Sequence, residues 1–218
     1  ISSPRHIEVQ ILCDKYGHGV HLYERECTIQ RRHQKLIEES PSLAISAKDR
    51  EELGELSLRI ASLVNYEGVG TVEFIYDNLD KKFYFMEMNT RIQVEHPVTE
   101  MVTGVDLLKE QIKSAQGIPL SMKQQDIAPR GHSIELRITA EDPKNDFMPT
   151  SGYINRLNLP SYPFSRIDTF LTENYEPPSY YDSLIAKIIV WGRTRPEALE
   201  RLSSLMSEVD ISGLITNQ

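Results

Sequence analysis

Cysteine is scarce: Cys13 and Cys27 are the only two in 218 residues, and no CxxC pair occurs. That argues against a disulfide framework or a cysteine-based zinc site and points to a reducing, cytosol-like compartment. Long apolar runs are missing too. The longest candidate, Leu184 to Trp191, is interrupted by Lys187, well short of the roughly 18 residues a membrane helix takes. The first residues do not read as a signal peptide. Positive charge is in deficit, with 24 Lys plus Arg against 32 Asp plus Glu and a formal net charge of −8. Such a chain is a poor general nucleic-acid binder. Gly-rich phosphate loops of the Walker or Rossmann type are absent, as are a GxSxG elbow and an HExxH pair. A serine hydrolase, a zincin and a dinucleotide dehydrogenase are therefore disfavoured.

What remains is ordinary material for a buried core: 39% hydrophobic and 26% charged residues, in a length of one to one and a half domains. The chain begins at Ile1 without Met, directly before a strand pattern, and is expected to be a piece of a longer polypeptide. Residues 6–12 alternate, with His6, Glu8 and Gln10 on one face and Ile7, Val9 and Ile11 on the other, which predicts a half-buried strand. A turn over 14–19 and a strand over 20–30 complete a hairpin. Ser46 with Asp49 resembles a capping box opening a helix to about Asn65, with Leu53, Leu56, Ile60, Leu63 and Val64 as its apolar stripe. Strands are expected over 71–77 and 83–88. One amphipathic helix follows, from Met101 through Val105, Leu108, Ile112 and Ala115 to Gly117. The polar stretch 119–130 reads as a boundary. Beyond it come strands over 132–140, 153–159, 166–171 and 184–191. A final helix opens near Pro196, with Leu199, Leu202, Leu205, Met206 and Val209 inward. Hairpins beside segregated helices make an α+β architecture.

Three clusters carry chemistry. Glu73 lies on one strand, and Glu87 and Asn89 share a face of the next. Paired as a hairpin, they converge three oxygen ligands of the kind a hard cation such as magnesium takes. Two solvated strand faces with incidental acids give the same pattern. Arg91, Gln93 and Glu95 then alternate, setting an anion-binding guanidinium beside a carboxylate able to act as a base, or forming a plain surface charge pair. Gln30-Arg-Arg-His-Gln-Lys35 is a basic island that suits phosphate or another anion, or a solvated turn. In the second half Ser133, Glu135, Arg137 and Thr139 share a strand face. A structural salt bridge is the usual reason for such an arginine.

Taken together, Pro4-Arg-His-Ile-Glu-Val-Gln, Gln30 to Lys35, Thr71-Val-Glu-Phe, the long run Met86 to Glu100 and Arg130 to Asp142 resemble biotin carboxylase, in order and over essentially the whole chain. This is the ATP-grasp ligase component of biotin-dependent carboxylases such as acetyl-CoA carboxylase of fatty acid biosynthesis. The resemblance implies the C-terminal part of the ATP-grasp domain over 1–128, an antiparallel sheet with flanking helices. The α+β biotin carboxylase C-terminal domain follows over 129–218, cut short at its end. It further implies that ATP activates bicarbonate as carboxyphosphate and that the carboxyl group passes to biotin on a carrier protein.

Roles follow by the same resemblance. Glu73, Glu87 and Asn89 match the magnesium (or manganese) ligands, and His6, Gln30, His33, Glu73 and Glu87 the ATP side. Lys35, Arg91, Gln93 and Val94 match the bicarbonate pocket, Glu95 the base, and Arg137 the residue facing the biotin enolate. Lys35, Arg91, Glu95 and Arg137 thereby form the catalytic set. Implied partners are a biotin carboxyl carrier protein or domain, a carboxyltransferase and a second copy in a homodimer. The implied location is the cytoplasm, or an organellar stroma or matrix. The family's N-terminal domain and glycine-rich lid match nothing here, so the 218 residues alone are expected to be inactive. The alternatives are a carbamoyl-phosphate-forming ATP-grasp ligase and a non-catalytic folding or dimerisation fragment.

Overall fold

Residues 4–40 build three antiparallel strands in the computed structural model, which describes residues 1 and 3–218. β1 (Pro4–Cys13) pairs with β2 (Gly19–Arg31), and β2 with β3 (Gln34–Ser40). The first turn is closed by Asp14, whose carboxylate accepts from the backbone N–H groups of Tyr16 and His18. The second turn is the pair Arg32-His33, both at positive φ (52° and 64°) between the paired residues Arg31 and Gln34. A two-residue hairpin turn of this handedness matches strand twist, although non-glycine residues adopt it at a cost. The segment expected as a basic turn is therefore the tip of a hairpin, and β3 is a strand the sequence pattern did not announce.

Helix α1 (Ala47–Leu63) starts at the expected box: Ser46 Oγ accepts from Asp49 N, and the Asp49 carboxylate accepts from Ser46 N. Strands β4 (Gly68–Asp77) and β5 (Lys82–Asn89) follow, giving the order β3-β2-β1-β4-β5 in this part of the chain. Next come α2 (His96–Thr103) and α3 (Leu107–Ala115). The single helix expected over 101–116 is thus two. Gly104 in the left-handed region ends the first, and Asp106, accepting from Lys109 N, caps the second.

The chain divides into two units, Ile1–Ser133 and Ile134–Gln218. In the first, Ile7, Val9 and Ile11 of β1 pack with Val72 and Phe74 of β4 and with Leu53 and Ala61 of α1. Leu12, Val20, Leu22 and Val69 pack with Leu107 of α3. Alternation along β1 puts these clusters on opposite faces of the sheet. Both faces of β1 are consequently covered, and Glu8 and Gln10 are fully buried rather than half-solvated. The face of α1 is corrected as well. Leu53, Gly54, Ser57 and Ala61 are buried, while Leu63 and Val64, at the helix end, are exposed. Residues 119–130 lie along the first unit: Leu120 N donates to Asp14, the Gln124 amide bonds both backbone groups of His21, and Ile127 is buried.

The second unit contains β6 (His132–Thr139) from Ile134 on, β7 (Glu141–Asp142), β8 (Met148–Pro149), β9 (Arg156–Asn158), β10 (Ser165–Thr169), β11 (Leu184–Gly192), α4 (Arg195–Glu208) and β12 (Asp210–Ser212). Strand order is β10-β11-β6, with small ladders β7-β8 and β9-β12. The apolar run of β11 supplies buried Ile188, Ile189 and Val190; α4 contributes buried Ala198 and Leu205, while Leu199 is exposed. Only residues 156–158 of the expected strand 153–159 form a ladder.

A Cβ built on Gly54 would lie 2.5 Å from the ring of His21, which is 1% exposed. Replacing a helical glycine by alanine normally stabilises by about 1 kcal/mol. Here overpacking costs about 1 to 3 kcal/mol. Gly54→Ala should therefore lower the urea midpoint; a raised midpoint would show that the His21 ring yields.

Candidate active site

The polar face of the sheet is a row of charge. Register places Glu8 opposite Arg25 on one side and opposite Glu73 on the other, and Glu73 opposite Glu87. A bulge after Glu73 lets Phe74 pair with Phe85 while Glu87 keeps its place. Glu8, Arg25 and Glu73 are buried; Glu87, on the edge strand, is exposed.

Lys35 of β3 reaches into this row. Its ammonium lies 2.5 Å from Glu8, 2.5 Å from Glu95 and 3.3 Å from Glu73. Burial would lower the lysine's pKa, but the three carboxylates reverse that and hold it well above the usual range. Burial would raise the Glu8 carboxyl; Arg25 and Lys35 beside it overcome this and hold it at about 2. Glu73 is likewise held at about 2 against its burial, by the His6 hydrogen bond and the Lys35 charge. Glu8 and Glu73 are therefore ionised across the physiological range only because cations and donors surround them.

Each donor has a fixed direction. The Gln30 amide donates to the Cys27 carbonyl (2.7 Å) and to His6 Nδ1 (2.8 Å), which leaves His6 Nε2 to donate to Glu73 at 2.5 Å. Gln93 Nε2 donates to Glu73 at 2.7 Å. Asn89 Nδ2 donates to Glu73 at 2.9 Å and to Glu87 at 3.1 Å. The loop that follows is held by His96 Nδ1 on the Gln93 carbonyl at 2.7 Å. Glu95 stands at the N-cap of α2 yet makes no cap hydrogen bond with its side chain. Its carboxylate turns to Lys35 instead.

The structure thus gathers His6, Gln30, Lys35, Glu73, Glu87, Asn89, Gln93 and Glu95 into one connected network. Val94 is half-buried between Gln93 and Glu95. Arg91 is exposed, one Nη1 donating to the Ile92 carbonyl at 3.2 Å. His33 is exposed at the hairpin tip. Arg137 is half-buried on β6.

Glu73, Glu87 and Asn89 suit a divalent cation. Like charges directly across a ladder repel, yet here two acids are so placed. The amide between them, which now donates, can equally present its oxygen to a metal. Two residues escaped the sequence reading. Glu8 was visible as a polar position on an alternating strand but received no role. Arg25 sits in the consecutive charged run Glu24-Arg25-Glu26, an oddity in a strand otherwise covered on both sides. That run was the signal available.

Residues 1–123 match the family described as "Carbamoyl-phosphate synthase L chain, ATP binding domain", and residues 135–218 match "Biotin carboxylase C-terminal domain". The chain is 53% identical over 212 residues to biotin carboxylase 1 of Bacillus subtilis, covering 97% of this chain and 47% of that protein. It is 54% identical over 216 residues to the biotin carboxylase of Nostoc, covering 99% and 48%. Among solved structures it is similar to the biotin carboxylase domain dimer of Hydrogenobacter thermophilus 2-oxoglutarate carboxylase in complex with MgADP, ADP and bicarbonate. The TM-score is 0.95 at 50% identity, over 98% of this chain and 47% of that one. The chain spans about half the length of the curated relatives it matches.

The acid limb of stability follows from Glu8. Its carboxyl is held at about 2 in the fold against an ordinary 4.5. A depressed carboxyl stabilises the fold above its unfolded value, and that contribution is lost as pH falls through the folded one. Stability should fall between about pH 4.5 and 2. Glu8→Gln should flatten that limb and, by removing the carboxylate bonded to both Arg25 and Lys35, cost about 3 to 5 kcal/mol at pH 7. Urea unfolding from pH 3 to 7 measures both; an unchanged acid limb would assign it to other carboxylates.

Proposed function

The chain belongs to the biotin carboxylase family, and from that premise we propose that its protein uses ATP and bicarbonate to carboxylate biotin borne on a carrier protein or domain. The observation that carries the reading is the Lys35 ammonium held in contact with both Glu95 and Glu73, so that the anion-handling and metal-handling residues share one network. The structural relative holding MgADP and bicarbonate supports the same pairing of ligands.

Two anions, bicarbonate and the terminal phosphate of ATP, must meet. Lys35, Arg91, Gln93 and the backbone of Val94 bind bicarbonate, Arg91 being exposed and free to swing its planar fork onto a carboxylate-shaped ion. Glu95 takes the bicarbonate proton. A bicarbonate oxygen attacks the γ-phosphorus as the bond to ADP breaks, which leaves carboxyphosphate. Its carbon–oxygen bond then breaks, phosphate departs, and the carboxyl carbon bonds to the ureido nitrogen of biotin, whose proton leaves with phosphate. Arg137 stabilises the negative charge on the ureido oxygen. His6, Gln30 and His33 serve the nucleotide side. Glu73, Glu87 and Asn89 are the residues that would hold magnesium or manganese, which supplies charge neutralisation between the two anions.

The carrier, a carboxyltransferase and a second copy of the enzyme are the partners this reaction calls for. The residue division 1–128 and 129–218 separates the ATP-grasp part from the C-terminal part. Among the described residues no helix is long and apolar enough to cross a membrane. The two cysteines are buried and unbridged, which fits a cytoplasmic, stromal or matrix location.

Two measurements test this in the natural polypeptide. ATP cleavage should require bicarbonate and should carboxylate biotin; carbamoyl phosphate formation, or no dependence on bicarbonate, would refute the reading. Arg137→Ala should lower the carboxylation rate constant about a hundred- to thousandfold, as loss of one oxyanion donor does, while the KM for ATP stays put. A variant that melts early but turns over normally when folded would make Arg137 a structural residue.

A further inference from the structure

Arg25 is 0% exposed, and all five of its guanidinium N–H groups are accounted for. Nε donates to Glu8 Oε1 at 2.6 Å. Nη1 donates to Gln10 Oε1 at 2.6 Å and to Thr99 Oγ1 at 3.0 Å. Nη2 donates to Thr71 Oγ1 at 3.2 Å and to Gln93 Oε1 at 3.1 Å. These partners come from β1, β4, α2 and the loop before α2. A planar guanidinium with five fixed donors is the one side chain that can satisfy such a set.

One of those bonds ends on a proposed bicarbonate residue, Gln93, and another on Glu8, the partner of a second, Lys35. Glu8 gives one carboxylate oxygen to Arg25 and the other to Lys35. Gln93 gives its amide oxygen to Arg25, and only that orientation points its nitrogen at Glu73. Were the amide to flip, two donors would face each other across Arg25 and the Glu73 contact would be lost. Arg25 touches neither nucleotide-side residue, His6 or Gln30, by any of its five bonds.

Resting on the proposed reaction, we infer that Arg25 is a positioning residue that sets the bicarbonate pocket. Through Glu8 it fixes Lys35, and through Gln93 it fixes the amide beside the metal carboxylates. Lysine at this position keeps the charge but offers three donors in tetrahedral array, so it cannot hold Glu8 and Gln93 together.

The test is steady-state ATP cleavage by the natural protein, with bicarbonate and ATP varied separately. Arg25→Lys should raise the bicarbonate KM about tenfold and leave the ATP KM within about twofold. A merely structural arginine would instead lower the melting temperature and the active fraction without moving the bicarbonate KM. Gln93→Ala should also raise that KM about tenfold. The double variant should stay below about thirtyfold, because residues acting through one another are not additive. A hundredfold combined effect, or a bicarbonate KM unmoved in folded Arg25→Lys, overturns the inference. Should Arg25→Lys fail to fold, Thr99→Val decides. It removes one acceptor of Nη1 at nearly constant volume and should raise the bicarbonate KM about threefold; an unmoved value overturns the inference. A wild-type protein without bicarbonate-dependent ATP cleavage defeats the proposed function and this inference with it. An active wild type with an indifferent Arg25→Lys defeats this inference alone.

Discussion

Glu8, Glu73 and Glu95 are buried within reach of one ammonium, that of Lys35. Removing charges from water is expensive, and mutual attraction repays it only when every remaining lone pair finds a partner. The rest of the first unit is arranged around that demand. Arg25 takes the other side of Glu8. His6, Asn89 and Gln93 surround Glu73. The helix after the loop gives up its own cap so that Glu95 can face Lys35. An apolar core of similar volume would be as stable or more so. Stability alone therefore does not account for the charge gathered here.

The sheet is what makes the arrangement possible. A carboxylate on β1 can meet an arginine on β2 and an acid on β4 only because side chains repeat every second residue and both neighbours are in register. A slip of one residue would turn the whole row toward α1 and put Ile7, Val9 and Ile11 where the charges now lie. The hydrophobic cluster on that opposite face therefore fixes the register on which the polar network depends. Packing and chemistry are two readings of the same alternation.

That coupling explains what could be read beforehand. Periodicity located β1 and α1, the latter with a capping box as well, and β11 was marked by its apolar run. That Glu87 and Asn89 share a face was legible from spacing, because neighbours on one strand need no tertiary knowledge; their meeting with Glu73 hung on the hairpin, which the β4–β5 register forms. β3 was not legible. Its residues, Gln34 to Ser40, are rich in charge and lack alternation, and they form a strand only because the Arg32-His33 turn folds them back onto β2. The break at Gly104 was hidden for a related reason: the apolar spacing runs on through it, and only the left-handed backbone there reveals the stop. Arg25 escaped because its meaning lies wholly in residues far away in sequence, from Glu8 to Thr99.

A network in which every donor is used has a mechanical consequence. Small neutral ligands can bind to a site by adding contacts, but an anion entering beside Lys35 has to share an ammonium already committed to carboxylates. Its arrival favours a redistribution in which Glu95 or Glu73 loosens its hold and a cation takes over part of the balance. Glu73 already has four donors besides the main chain, His6, Lys35, Asn89 and Gln93, so its position changes least. Glu95 is tied to Lys35 at the mouth of a helix whose first turn carries no acidic residue of its own. The helix dipole there partly compensates a carboxylate that lets go of its lysine. Of the three acids, Glu95 is therefore the one seated at a helix N-terminus, where the positive end of the dipole adds to the Lys35 ammonium, while Glu8 and Glu73 are held within the sheet.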